Sequence, residues 1–211
     1  VSDIVTDSLT AFGMKAKDSG RFADVLAQTS SKANTDVRGL GEAFKYVAPV
    51  AGALGYTVED TSIAIGLMSN AGIKGEKAGT ALRTMFTNLA KPTKAMKEEM
   101  DRLGISITDS NGKMLPMRDV MGQLRNKFKG LSKDQQASAA ATIFGKEAMS
   151  GALAVINASD EDYKKLTKSI DNSTGASKRM SDEMEGGIGG SLRKMKSAIE
   201  SLAISIGDVL A

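Results

Sequence analysis

The 211-residue chain carries 28 basic and 25 acidic side chains and has neither cysteine nor histidine. Those absences exclude disulfides, thiolate chemistry, cysteine-based zinc sites and every mechanism that turns on an imidazole, including serine–histidine triads. Aromatic residues make up 4% of the chain with no tryptophan, against 12 methionines, so its core is built from small and flexible side chains that favour close helix–helix approach.

Helical periodicity dominates from the start, with runs predicted over 3–14 and 19–31. Over 37–54, Val37, Leu40, Phe44, Val47, Ala48, Ala51 and Leu54 follow the three-and-four spacing of a single helical stripe. Pro49 inside that run is expected to kink or interrupt it. The stretch "TVED" at 57–60 resembles a capping box, with Thr57 capping and Asp60 reaching back, and opens a helix carrying Ile63, Leu67 and Met68.

The next stretch, "NAGIKGEKAGTALRTMFTNLAKPT" at 70–93, poses a choice between a phosphate-cradling loop and a turn between helices. A Walker A loop needs a glycine directly before its lysine, a hydroxyl after it and a strand ahead. Here the fifth residue after Gly72 is Lys77, the residue following it is Ala78, and the preceding segment is helical. The phosphate reading fails. Gly72 ends one helix and Gly75 stands near the start of the next, whose stripe is Ala78, Ala81, Leu82, Met85, Phe86 and Leu89. Gly79, with Ala78 and Ala81, lets that helix approach a neighbour closely, and Pro92 stops it.

Further helices are predicted at 94–103, 118–130, 147–157 and 160–171, and from the capping box "SKDQ" at 132–135 into Ala139, Ile143 and Phe144. One piece departs from the pattern. "GISITDSNGKMLPM", 104–117, alternates Ile105 and Ile107 and turns at Asn111–Gly112, which predicts a hairpin with a type I′ turn and Pro116 on an edge strand. After "GGIGG" at 186–190, Ile188, Leu192, Met195, Ile199, Leu202, Ile206 and Val209 form a heptad seam. That seam serves equally as a core helix or as the start of a partner-binding coiled coil.

The fold expected is therefore all-α: a multi-helix bundle of short amphipathic helices with one small β-hairpin near 105–117. Residues 1–185 form a compact core, and 186–211 a glycine-hinged helix leading out of it. No apolar run approaches the roughly 18–20 residues that span a bilayer. The chain opens on Val1 and closes mid-pattern, which predicts a segment of something longer.

Candidate chemistry is thin. "GGIGG" lacks a preceding strand and has Leu192 where a dinucleotide fingerprint needs a third glycine. "DSNG" at 109–112 puts glycine at the fourth position of a calcium loop instead of the sixth. The acidic clusters Glu98–Glu99–Asp101 and Asp160–Glu161–Asp162 fall on exposed faces or helix starts, where adjacent acids point apart. The middle of the chain, 71–150, holds 14 basic and 8 acidic residues, yet no aromatics interleave with the lysines as nucleic-acid binding would need. No catalytic, cofactor or metal site emerges.

The segment "NTDVRGLGEAFKYVAPVAGALGYTVEDTSIAIGLMSNAGIKGEKAGTALRTMFTNLAKPT", 34–93, resembles the core of tail tape measure proteins of long-tailed bacteriophages and prophages. The resemblance continues through "DSNGKMLPMRDVMGQL", "ATIFGKEAMSGALAVIN" and "GGSLRKMKSAIESLAISIGD", nearly the whole chain. It implies a structural, non-enzymatic and cofactor-free role: occupying the tail tube, setting tail length, nucleating tube assembly and leaving ahead of the DNA. It also implies residence in the virion tail, and in the host cytoplasm during assembly. The implied partners are the tail tube protein, tail assembly chaperones and tail tip or initiator proteins, with self-association a further option. Fully helical, 211 residues would reach roughly 320 Å. Folded, the radius of gyration would be about 17 Å, so a compact region measures little length for its mass. An alternative of another class is an envelope-active module that inserts helices such as 188–210 into host membrane. The glycine and serine content of that helix argues instead for packing against protein.

Overall fold

The computed structural model describes residues 2–183 and 194–201. They are helical almost throughout: α1 (Ser2–Ala11), a 3-10 turn at Ala16–Asp18, α2 (Ser19–Lys32), α3 (Val37–Ala53), α4 (Val58–Asn70), α5 (Gly75–Ala90), α6 (Lys94–Leu103), α7 (Met117–Phe128), α8 (Lys133–Phe144), α9 (Met149–Ile156), α10 (Asp160–Asp171) and α11 (Ala176–Glu183).

The centre is α4. Every residue from Asp60 to Ser69 is buried, because α2, α3, α5, α7, α9 and α10 all pack on it. A helix surrounded in this way must be apolar or small on all sides, and Ile63–Ala64–Ile65–Gly66–Leu67–Met68 is. Two of its three hydroxyls are dealt with internally: Thr61 Oγ1 donates to the Thr57 carbonyl and Ser69 Oγ to the Ile65 carbonyl, both at 2.7 Å, while the Ser62 hydroxyl is buried without a partner. Around this axis α3 lies along α5 and α1 crosses α3, while α6, α8 and α9 form a chain of neighbours on the other side. Glycines set the closest crossings. Gly79 of α5 abuts the backbone of Ala43 in α3, Gly52 of α3 abuts that of Ala11, and Gly151 of α9 meets Ala81.

The helix ends follow one local rule. After α4, Gly72 takes φ +89°. Its N–H donates to Ser69 and the Ile73 N–H reaches back to Met68 at 2.9 Å, closing a Schellman motif whose apolar following residue turns into the core. The same pair of bonds closes α1 at Gly13–Met14, α3 at Gly55–Tyr56 and α6 at Gly104–Ile105. Helix starts are capped locally as well. Thr57, Ser132 and Ser159 each accept from the backbone N–H three residues on, and Ser132 and Gln135 complete a reciprocal box.

Three expectations are corrected. The hairpin near 105–117 is absent as a sheet: no strand forms among the described residues, and a lone antiparallel bridge joins Thr108 to Met114. A type I′ turn needs positive φ at both central residues, but no described non-glycine residue has it, and only Gly112 in this loop does. Asp109 instead accepts from the N–H groups of Asn111 and Lys113 through its side chain, closing a longer, bulged loop. Pro116 is the N-cap of α7, which leaves too few residues for a second strand. Gln123 occupies the first arm, accepting from the Ser106 N–H and donating to its carbonyl, both at 2.8 Å.

Second, Pro49 does not interrupt α3, which runs on to Ala53. The ring is exposed, so the carbonyl it deprives of a donor can be served by water. Third, Asp60 does not reach back to Thr57. Its carboxylate accepts from Arg118, as described next, and the cap rests on Thr57 alone.

Candidate functional site

The polar groups with the most developed geometry are three carboxylate-centred arrangements, two with an arginine and one with backbone and hydroxyl donors, and each spans helices. In the first, Arg118 near the start of α7 donates its Nε to Asp60 at 2.9 Å and its backbone N–H to the same carboxylate at 3.2 Å. Its two terminal nitrogens grip Asp171 at the end of α10 in a bidentate pair, both at 2.8 Å. Hydrogen bonding to Asp171, with Asp60 alongside, pushes the Arg118 pKa up further. Both acids are thus paired by a cation that never gives up its proton.

In the second, Arg125 of α7 is 5% exposed. One terminal nitrogen donates to the carbonyls of Val155 at 2.9 Å and Ala158 at 2.8 Å, the other to Asp160 at 3.0 Å, and the guanidinium lies 4.4 Å from the Tyr163 ring centre. The end of α9 would otherwise leave orphan carbonyls under the core. A planar, always-charged fork suits that end, where the helix dipole is negative. Asp160, whose pKa is lowered by Lys129 and then Arg125, starts α10.

In the third, Asp24 of α2 accepts from the Gly175 N–H at 2.9 Å, and from the Ser177 N–H at 3.0 Å and hydroxyl at 2.8 Å. It caps α11 from far away in sequence.

Other features expected from sequence take structural places. Glu98 pairs with Lys94, and Glu99 with Arg102, on the exposed side of α6. Among the described residues no group of three or more carboxylates could hold a metal ion, and no helix is long and apolar enough to cross a membrane. The turn at Gly72–Gly75 borders an open cleft of about 720 Å³ whose lining includes Ile73, Lys74, Lys77, Thr80, Glu147 and Ser150. Its charges are of both signs and lie at the surface.

A profile described as phage-related minor tail protein matches residues 1–145. The chain belongs to that family. Among curated relatives of this minor tail protein, the tape measure protein of Pneumococcus phage Dp-1 is 40% identical over 209 residues, covering 99% of this chain and 18% of that protein. The probable tape measure protein of Escherichia phage P2 is 31% identical over 202 residues, covering 94% of this chain and 25% of that protein. The chain thus spans about a fifth to a quarter of the length of these relatives. No solved structure matches it.

For the seam expected to bind a partner, the described residues of this minor tail protein include Met195 and Ile199, in a helical stretch at 194–201. Both are buried with the core, at 3% and 1% exposure. Ile188, Leu192, Leu202, Ile206 and Val209 lie outside the described residues. Sequence reasoning passed over Asp24, Arg118 and Arg125. For Arg125 a signal was present, since it follows Met121 by four residues and precedes Phe128 by three on a buried face.

Proposed function

We propose that this chain is a folded structural module of a phage tape measure protein, built to brace and anchor a longer molecule in the tail. The observation that carries the reading is the likeness to two tape measure proteins over nearly the entire chain. The use of these interhelical charged clusters to brace helices is what a structural module would show. On this reading the tail tube protein, assembly chaperones and tip proteins are its partners, and helices flanking the module do the measuring. The module helps nucleate the tube and leaves before the DNA.

The measuring claim is tested by in-frame deletions in the full-length protein of a phage carrying this segment, with tail lengths measured by electron microscopy. Deletions in flanking helices should shorten tails by about 1.5 Å for each residue removed. Deletions within 1–185 should abolish assembly or leave length unchanged. Proportional shortening by deletions within 1–185 would overturn the module reading.

The membrane-inserting alternative draws no support from the described residues. Met195 and Ile199, which an inserting face would have to present, are buried.

A further inference from the structure

Helix α11 is attached differently from the others. Its apolar contribution is small and separate: Ala176 packs with Ala27 of α2 in a cluster of their own, flanked by Val37 and Met180. The outward side of the helix bears Lys178, Arg179, Asp182 and Glu183, all exposed. Two alanines and the edges of two larger side chains remove little apolar surface from water, since the return scales with the area covered.

The polar attachment is dense by comparison. Both oxygens of Asp24 are used, Oδ2 by the Gly175 N–H and Oδ1 by the Ser177 N–H and hydroxyl. They satisfy donors at the start of a helix, where the dipole favours a negative charge. Ser177 is 4% exposed, so without Asp24 its hydroxyl and amide lose their partner away from water. Ser30 on the same side of α2 donates to the Ala27 carbonyl within its own helix at 2.8 Å, and its contact with α11 is a long one to the Met180 sulfur, at 3.8 Å.

We infer that α11 is a clasped strap, held on α2 chiefly by the Asp24 carboxylate, and that it detaches as a unit without opening the core around α4. Detachment uncovers the strip of α2 around Ala27 and Ser30. The inference stands on the geometry of α2 and α11 and does not depend on the tail reading.

Hydrogen–deuterium exchange on the 211-residue chain tests it. In the unmodified protein, amides of Arg179–Glu183 should exchange through an opening that low urea does not change, while those of Ile63–Met68 follow global unfolding. In Asp24→Ala the α11 amides should exchange about tenfold faster or more, with α4 unchanged, because bonds to a charged acceptor are lost. Asp24→Asn, which keeps one acceptor oxygen, should fall between. Merging of the α11 and α4 urea dependences in the unmodified protein would overturn the inference without any variant. So would α11 exchange that is indifferent to Asp24→Ala, or acceleration of α4 in step with α11.

Discussion

The Cα of Gly79 in α5 faces the backbone of Ala43 in α3 so closely that a methyl group added at 79 would stand 2.8 Å from the Ala43 Cα. The two helices meet backbone to backbone, and a larger residue can be housed only by moving one of them. Gly79→Ala should therefore destabilise the domain by about 2–3 kcal/mol, as overpacking does. Gly122, on the exposed side of α7 with nothing within 4 Å, is the matched control. Gly122→Ala should stabilise by about 0.5–1 kcal/mol, because the backbone has less freedom to lose. Thermal melts of the pair should move in opposite directions.

Arg125 holds the end of α9 and the start of α10 together with one side chain. Removing it strands buried carbonyls of Val155 and Ala158 and takes the cation from the Tyr163 ring. Arg125→Met should cost about 2–3 kcal/mol, the range for leaving buried acceptors without a donor, because its carboxylate partner Asp160 is exposed and can be solvated. Arg125→Lys should recover little, since an ammonium cannot reproduce the planar fork. Urea midpoints, at unchanged slope, are the measurement.

Tyr56 packs edge-on against Phe86 at 5.0 Å, yet its buried hydroxyl has no hydrogen-bond partner. Tyr56→Phe should be neutral or stabilising by up to about 1 kcal/mol at pH 7, because an unpaired buried polar atom is removed. Burial pushes the phenol up to about 12. An unfolded tyrosine ionises near pH 10, so between those values the unfolded chain binds fewer protons than the native one. Stability must then fall as pH rises through that window. Tyr56→Phe should shrink this alkaline loss, as seen in melting temperature between pH 9.5 and 11.5.

Ser132 and Gln135 exchange hydrogen bonds at the start of α8, at 3.2 and 2.9 Å. Ser132→Ala should cost about 1 kcal/mol, and Ser132→Asp should restore most of it because an acid at a helix start both caps and suits the dipole. Chemical denaturation of the three proteins side by side measures this.

The elements readable from sequence were those with local punctuation. α6 and α10 begin at Thr93 and Ser159 caps and were placed to the residue, at 94–103 and 160–171. The small residues Gly79 and Ala81 signalled close crossings, and both lie at one. What escaped depended on neighbours far along the chain. Asp60 looked like half of a capping box, but Arg118, 58 residues on, competes for it. Asn111–Gly112 carried a hairpin signal, and two backbone bonds do join the arms, Asp109 N–H to Lys113 and Leu115 N–H to Ile107, but the Asp109 side chain takes the Lys113 N–H and α7 begins before a ladder can lengthen. α11 has a weak apolar stripe, and its start is capped from α2, so no local mark announced it. Nor did α4 look central, because a helix buried on all sides loses the one-sided stripe that betrays a helix on the surface.

That screened position of α4 bears on how the molecule would answer a pull. Six outer rods shield the innermost one on every flank, so tension applied at either terminus reaches it last, after its cover has been stripped. Once exposed, an apolar rod has nothing left to lean on and yields in a single event. Such a body lengthens in steps as its cover peels away, and its last step is abrupt, like a knot whose final crossing slips.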